Sequence, residues 1–261
     1  MNDDLESAFD VGFDGLVPAD DASAERVRIW PGDLRVLAEH HTTPNGSHSF
    51  YLAHDRSVTW GAPGAPQLVA VAVARDLSRS TFTLDTSYHA TVSFAQNWLV
   101  ERGCPPEHIA LAVVGGLKPN DDLTVQVEQQ IRDSGARYEV LDTYTSDSDP
   151  CETWTLTRDS NAAQAPVRVF HEEWDYGAAT YTMREGAFTD ESAAWSWLDE
   201  RDGPLPEPPE YSDHNGAVVR ARIARIALAR SAKAAVMQKA VRDPRTPSAG
   251  QISRLVQRRL L

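Results

Sequence analysis

The sequence predicts an α+β fold made as a tandem duplication of a helix / four-stranded antiparallel sheet / covering helix unit, followed by a basic helical C-terminal segment. Three observations predict it. A series of blocks recurs in the same order at a spacing near 100 residues, strand-type alternation lies between helix-type runs in each copy, and residues 217–261 are alanine-rich and basic. Composition agrees with a packed globular chain, with 41% hydrophobic and 24% charged residues among 261. The longest compact apolar run, Leu68 to Ala74, is far short of the roughly 20 residues that cross a bilayer. The opening MNDDLESAFD is acidic and lacks the apolar core of a secretory signal.

The repeat begins with Gly15-Leu16-Val17-Pro18-Ala19-Asp20-Asp21, which returns as Gly116-Leu117-Lys118-Pro119-Asn120-Asp121-Asp122. Val36-Leu37, Leu52 and Asp55 return as Val140-Leu141, Leu156 and Asp159, and Ala65-Pro66 with Val69 as Ala165-Pro166 with Val169. Phe82 to Pro105 then aligns without gaps on Tyr181 to Pro204, keeping Trp98-Leu99 as Trp197-Leu198. So long a period indicates two duplicated domains rather than a solenoid of small units. The expected divisions are an acidic segment at 1–14, copies at 15–115 and 116–204, a proline-rich linker at 205–216 and a basic tail at 217–261.

Within each copy the paired aspartates of G-L-x-P-x-D-D open a helix, clearest over Asp121 to Asp133. Carboxylates there satisfy free N–H groups and complement the helix dipole. Strands are expected over Leu34–Glu39 and Ser49–His54 around Asn45-Gly46, a hairpin signal, and over Tyr138–Tyr144 and Glu152–Arg158. Leu68–Ala74 and Val167–Glu173 form a third pair of strands, Thr81–Asp85 and Thr180–Arg184 a fourth. Helices over Thr91–Arg102 and Asp190–Arg201 close the copies. Their Ala95, Trp98, Leu99 and Ala194, Trp197, Leu198 fall on one stripe that packs on the sheet. A further strand is expected at Ile109–Val114, and Gly203 to Glu210 reads as a semi-extended spacer. Ala217–Val241 and Ser248–Leu261 read as two helices broken by Asp243-Pro244-Arg245-Thr246-Pro247. Two copies permit a pseudo-twofold arrangement with a partner or ligand groove at its centre.

The formal charge of −13 divides unevenly. Residues 217–261 hold 11 basic side chains against Asp243 alone, a charge of +10, which leaves −23 on residues 1–216. A basic end on an acidic body docks on an acidic partner, on the body itself, or on nucleic acid. Arg220, Arg222, Arg225, Arg230, Lys233, Arg254, Arg258 and Arg259 are the candidate contacts. Arginine outnumbers lysine 22 to 3, a ratio expected from the coding bias of a GC-rich bacterial genome. Cys104 and Cys151 form no C-x-x-C and suit free thiols in a reducing cytoplasm.

Motifs for phosphate loops, dinucleotide binding, serine hydrolases and H-E-x-x-H metalloproteases are missing. Two weaker sets remain. His40, His41, His48 and His54 share one expected hairpin and are the candidate metal ligands. His171, Glu173 and Asp175 are the candidate acid–base residues, with His171 and Glu173 on one strand face and Glu172 on the other. The expectation that results is a non-enzymatic cytoplasmic interaction or assembly protein without cofactor, its basic tail docking on a protein partner or on the acidic body or mediating self-association, and no membrane contact. The alternatives are a nucleic-acid-associated plasmid, phage or regulatory protein, and a hydrolase or metalloenzyme with one active and one degenerate copy.

Overall fold

The structure is a computed structural model that describes residues 13, 15–28, 33–42, 46–58, 64–110, 116–148, 150–201 and 203–211. It is a mixed α+β protein of two similar units. The first holds β1 (Val17–Pro18), α1 (Asp21–Arg28), β2 (Leu34–His41), β3 (His48–Asp55), β4 (Leu68–Asp76), β5 (Thr81–His89) and α2 (Val92–Glu101). The second holds β6 (Lys118–Pro119), α3 (Asp122–Arg132), β7 (Tyr138–Ser146), β8 (Glu152–Asp159), β9 (Val167–Asp175), β10 (Thr180–Phe188) and α4 (Glu191–Glu200). The sheets have matching orders, β1-β5-β4-β3-β2 and β6-β10-β9-β8-β7.

Each sheet therefore has five strands where the sequence indicates four. The fifth is the G-L-x-P segment itself, paired parallel to β5 or β10. Val17 and Ala19 donate to Ser80 O and Phe82 O at 3.0 and 2.8 Å, and Lys118 and Asn120 donate to Ala179 O and Tyr181 O at 3.2 and 2.9 Å. The proline between the two donors lacks an N–H and needs none there, which suits an edge position. Two residues are too few to show any alternation, so this strand has no sequence signature.

The aspartates after it cap the helices. Asp20 Oδ1 accepts from Ser23 N–H at 2.7 Å and Asp121 Oδ1 from Thr124 N–H at 2.8 Å. The hydroxyls of the same Ser23 and Thr124 accept from Leu84 N–H and Met183 N–H, tying each opening helix to its sheet. Even the irregularities are duplicated: a β-bulge falls between Val36 and Ala38 and again between Val140 and Asp142.

Both faces of each sheet are covered. On one face of the first sheet Tyr51, Val69, Val71, Val73, Phe82 and Leu84 meet Val27 of α1, together with Phe13 and Leu16. On the other, Phe50, Leu52, Leu68 and Ala70 meet Ala95 and Leu99 of α2. Phe13, assigned by sequence to the acidic N-terminal segment, stacks on Phe82 with ring centroids 4.1 Å apart.

Helix α2 faces both units. It buries Ser93, Phe94, Ala95, Gln96, Asn97 and Leu99, whereas α4 buries Ala194 and Leu198. Phe94 enters a cluster with Val127, Ile131, Tyr138, Phe170 and Met183 of the second unit, edge-on to Phe170 at 5.4 Å. The Asn97 amide exchanges two hydrogen bonds with the Gly135 backbone, each 3.0 Å, and Arg132 Nε donates to Gln96 Oε1 at 2.7 Å. The layers run α1, first sheet, α2 with α3, second sheet, α4. The closing-helix face of one sheet thus looks toward the opening-helix face of the next. That is a head-to-tail stack of unlike faces, not the expected pseudo-twofold. On α4 the positions of Phe94 and Asn97 are taken by Ala193 and the exposed Ser196, so the stack ends on a more polar surface.

Three further expectations differ. Ile109 follows a 3-10 turn (Pro106–His108) and is buried against the first sheet rather than starting a strand, and 111–115 lie outside the described residues. The Gly203–Glu210 segment is no free spacer. Leu205 packs with Phe188 and Leu198, Pro206 O accepts from Ala187 N–H at 2.9 Å, and Glu210 pairs with Arg168. Leu205 lies so close that a Cβ on Gly186 would be 2.4 Å from its Cδ2. The expected tail helices, and with them Arg220, Arg222, Arg225, Arg230, Lys233, Arg254, Arg258 and Arg259, lie outside the described residues. Among the described residues no helix is long and apolar enough to cross a membrane.

Because Phe94 fills the second unit's core from the first, Phe94→Ala should cost about 3–5 kcal/mol in urea denaturation. Ser196→Ala, at the α4 position matching Asn97, should stay within about 0.5 kcal/mol of the parent.

Candidate functional site

The four hairpin histidines do not converge. His40 and His48 flank Phe50 on one face of the first sheet, with centroids 6.3 and 6.4 Å from its ring, and His40 also stacks on His108 at 4.1 Å. His41 is on the opposite face, with Nδ1 2.9 Å from Ser49 Oγ. His54 stands at the far end of β3, roughly 20 Å along the strand from His48, with Nε2 3.0 Å from Gln67 Oε1. Desolvation, and then the neighbouring His108, hold His40 below the usual imidazole value.

His171 and Glu173 share a face of β9, as alternation requires, and β9 is the middle strand of its sheet. With Glu152 of β8 they form the group of His, Cys, Asp and Glu residues, among those described, compact enough to hold a metal, their donor atoms within 4.8 Å of one another. The cation already there is Arg201. Its Nη2 donates to Glu152 Oε1 at 2.6 Å and its Nη1 lies 3.1 Å from His171 Nε2, which is itself 2.8 Å from Glu152 Oε2. A guanidinium within the donor set opposes a divalent ion by charge repulsion and uses the ligand lone pairs. Arg201 caps α4 in the left-handed region, φ 53°, and its guanidinium lies 5.0 Å from the Trp197 ring centroid. The cluster therefore pins the end of α4 to the sheet beside a groove of about 610 Å³ under residues 203–208. Asp175 is apart from it in role: its Oδ1 accepts from Ala178 N–H at 2.9 Å, as Asp76 does from Arg79 in the first unit.

The other face of β9 gives a better-formed site. Glu172 and Trp174 point toward α3 and α2, and a cavity of about 450 Å³ opens between the units. The first unit contributes His54, Gln67, Leu68, Ala90 and Val92 to its walls; the second contributes Glu128, Asp147, Glu172, Trp174, Tyr176 and Tyr181. Gln67 Nε2 donates to Asp147 Oδ2 across the junction at 2.6 Å, and Thr145 N–H donates to Gly64 O at 3.1 Å. Gly64, at φ +85°, lets Tyr144 approach to where a Cβ would meet its ring at 2.8 Å.

Two carboxyls sit close together here. Tyr181 Oη donates to Glu128 Oε1 at 2.7 Å and Trp174 Nε1 donates to Glu172 Oε1. Desolvation, reinforced by the nearby Glu128, pushes the Glu172 carboxyl up to about 8 despite the Trp174 bond. Glu128 is raised by burial against the opposing pull of Tyr181 and Arg132, and the Tyr181 phenol is pushed well above its usual value by burial and by Glu128. Sequence reasoning missed these residues. The available signal was Glu128, an acid on the α3 stripe of Thr124, Val127 and Ile131, where an apolar residue is expected.

Cys104 and Cys151 are both free, and burial lifts the Cys104 thiol to about 12. No protein-family model, no curated protein and no solved structure matches the chain.

Two outcomes follow from this geometry. Arg201→Ala leaves Glu152 and His171 without their cation and should cost about 1–3 kcal/mol. The Arg201→Ala/Glu152→Ala double variant should lose less than the sum of the singles in a urea-denaturation cycle, with a coupling of at least about 0.5 kcal/mol. For Glu172, the raised folded value means that the folded chain keeps a proton the unfolded chain has released between pH 4.5 and about 8, so stability falls as pH rises through that window. Glu172→Gln cannot ionise and still accepts from Trp174. Its advantage over the parent should be near zero at the acid end and exceed about 1 kcal/mol at the alkaline end.

Proposed function

We propose that this chain is a non-enzymatic interaction and assembly protein in a reducing, cytoplasmic setting. On this reading it is a tandem duplicate of α+β units whose junction is the binding site and whose basic segment, residues 217–261, docks on an acidic partner or on another copy. The observation that carries the reading is the cavity between the units, since neither unit alone has its walls. A site that needs both copies gives the duplication a use. The free thiols fit the reducing setting, and the +10 of residues 217–261 against −23 elsewhere supplies the electrostatic handle. The occupied guanidinium position at His171 argues against the metalloenzyme alternative.

The same positive charge favours a second reading, a nucleic-acid-associated protein anchored by that segment. Sedimentation velocity of the full chain separates the two. Assembly predicts a species larger than one chain that dissociates as salt rises and is absent when Arg220, Arg222, Arg225 and Arg230 are changed to Glu. A single chain at every salt concentration would remove the self-assembly role. Nucleic-acid association predicts instead a shift on adding duplex DNA that fades steeply with salt.

A further inference from the structure

We propose that the cavity between the two units binds a small organic cation, an alkylammonium or guanidinium compound, held by the carboxylates of Glu128 and Glu172 against an aromatic corner of Trp174, Tyr176 and Tyr181. This rests on the reading of the junction as the binding site and adds the chemistry of what it takes. About 450 Å³ is the size of a small-ligand pocket. The Trp174 and Tyr176 rings stand 6.5 Å apart at 60°, forming two walls of a corner, and Tyr181 closes the α3 side. Aromatic walls at an angle favour a cation by their ring quadrupoles, and more so when the site is desolvated.

The charge of the walls points the same way. Glu128, Glu172 and Asp147 line the cavity, and among the described residues no lysine or arginine does. Each of the paired glutamates uses Oε1 for its aromatic partner, and among the described residues Oε2 of each takes no hydrogen bond. Glu128 raises the proton affinity of the Glu172 carboxyl, and a positive charge placed between the two relieves that repulsion. An anion would face the same pair at a penalty, and a neutral ligand would leave their repulsion unrelieved. The groups facing Glu172 are Glu128 on α3, Tyr181 on β10 and Trp174 on its own strand, with Arg132 near Glu128, and Asp147 and His54 line the same cavity.

Binding a fixed cation should expel the Glu172 proton, so affinity should increase as pH rises through about 8. The test is titration calorimetry of the full chain, with Trp fluorescence alongside. The probes are choline, its neutral isostere 3,3-dimethylbutanol and the anion 3,3-dimethylbutyrate. Choline should bind, at least about tenfold more tightly than either isostere. Its affinity should rise roughly tenfold from pH 7 to pH 9 and fall at least about tenfold in Glu172→Gln and in Trp174→Ala. Equal or tighter binding of the neutral probe, lost in Trp174→Ala, would overturn the cation proposal while leaving the junction as a ligand site. Choline binding unchanged in both variants would place it elsewhere and overturn the proposal. Binding of no probe, whatever its charge, would count against the cation and against the junction as a small-molecule site together.

Discussion

The two-sided burial of helix α2 is the contact on which the rest of the architecture depends. An ordinary covering helix is apolar on one stripe and polar on the other. Helix α2 instead presents Ala95 and Leu99 to its own sheet and Phe94, Gln96 and Asn97 to the following unit. One helix then serves as the closing layer of one unit and part of the covering layer of the next. The cores meet through Phe94, and the Asn97–Gly135 hydrogen bonds fix the register between units. The junction cavity exists because this contact holds the end of the first sheet, at Leu68 and Ala90, opposite Glu172 and Trp174.

Sharing α2 also explains why the two units diverged where they did. On the central strands the first unit has only valine and alanine from Val69 to Val73, whereas the matching stretch of the second unit includes Arg168, His171 and Glu172. Strand pairing shifts the sequence match of Val69 with Val169 by one residue: Leu52 opposes Ala70 as Leu156 opposes Val169, so Val69 of β4 corresponds to Arg168 of β9, fully buried between Asp159 at 3.2 Å and Glu185 at 3.5 Å and paired with Glu210. A buried charge set of that kind is weak evidence for stability in itself, but it selects one path for the returning segment. Ala72 likewise corresponds to His171, and there the extra polarity recruits Arg201 at the end of α4. The first unit has no such demands and keeps valine and alanine on its central strand.

Much of the fold is legible in the sequence because duplication doubles every local signal. Alternation in Leu68–Ala74, the Trp-Leu stripe and the capping aspartates each occur twice, and every expected strand within the two sheets is present, usually one to four residues longer than read. The losses have physical causes. Val17–Pro18 pairs through two N–H groups that flank a proline, leaving no pattern to read. The role of Phe94 was hidden because an apolar residue beside Ala95 looks like the same stripe until the partner layer is known. The site was harder still. His171 and Glu173 were visible as a polar interruption of a strand, yet their partners Glu152 and Arg201 come from distant elements. Glu128, Glu172 and Tyr181 meet only through tertiary packing, and single acids on helices and strands ordinarily read as solvated.

If α2 joins the cores, the two sheets must open together. Native-state hydrogen exchange on the full chain measures this directly, by comparing the opening free energies of amides in β4, α2 and β9. The account predicts one value shared by the slowest amides of all three, reduced in parallel by added urea. Exchange of β9 amides at a distinctly lower free energy, while β4 and α2 remain protected, would contradict it and make the units two independent bodies on one chain.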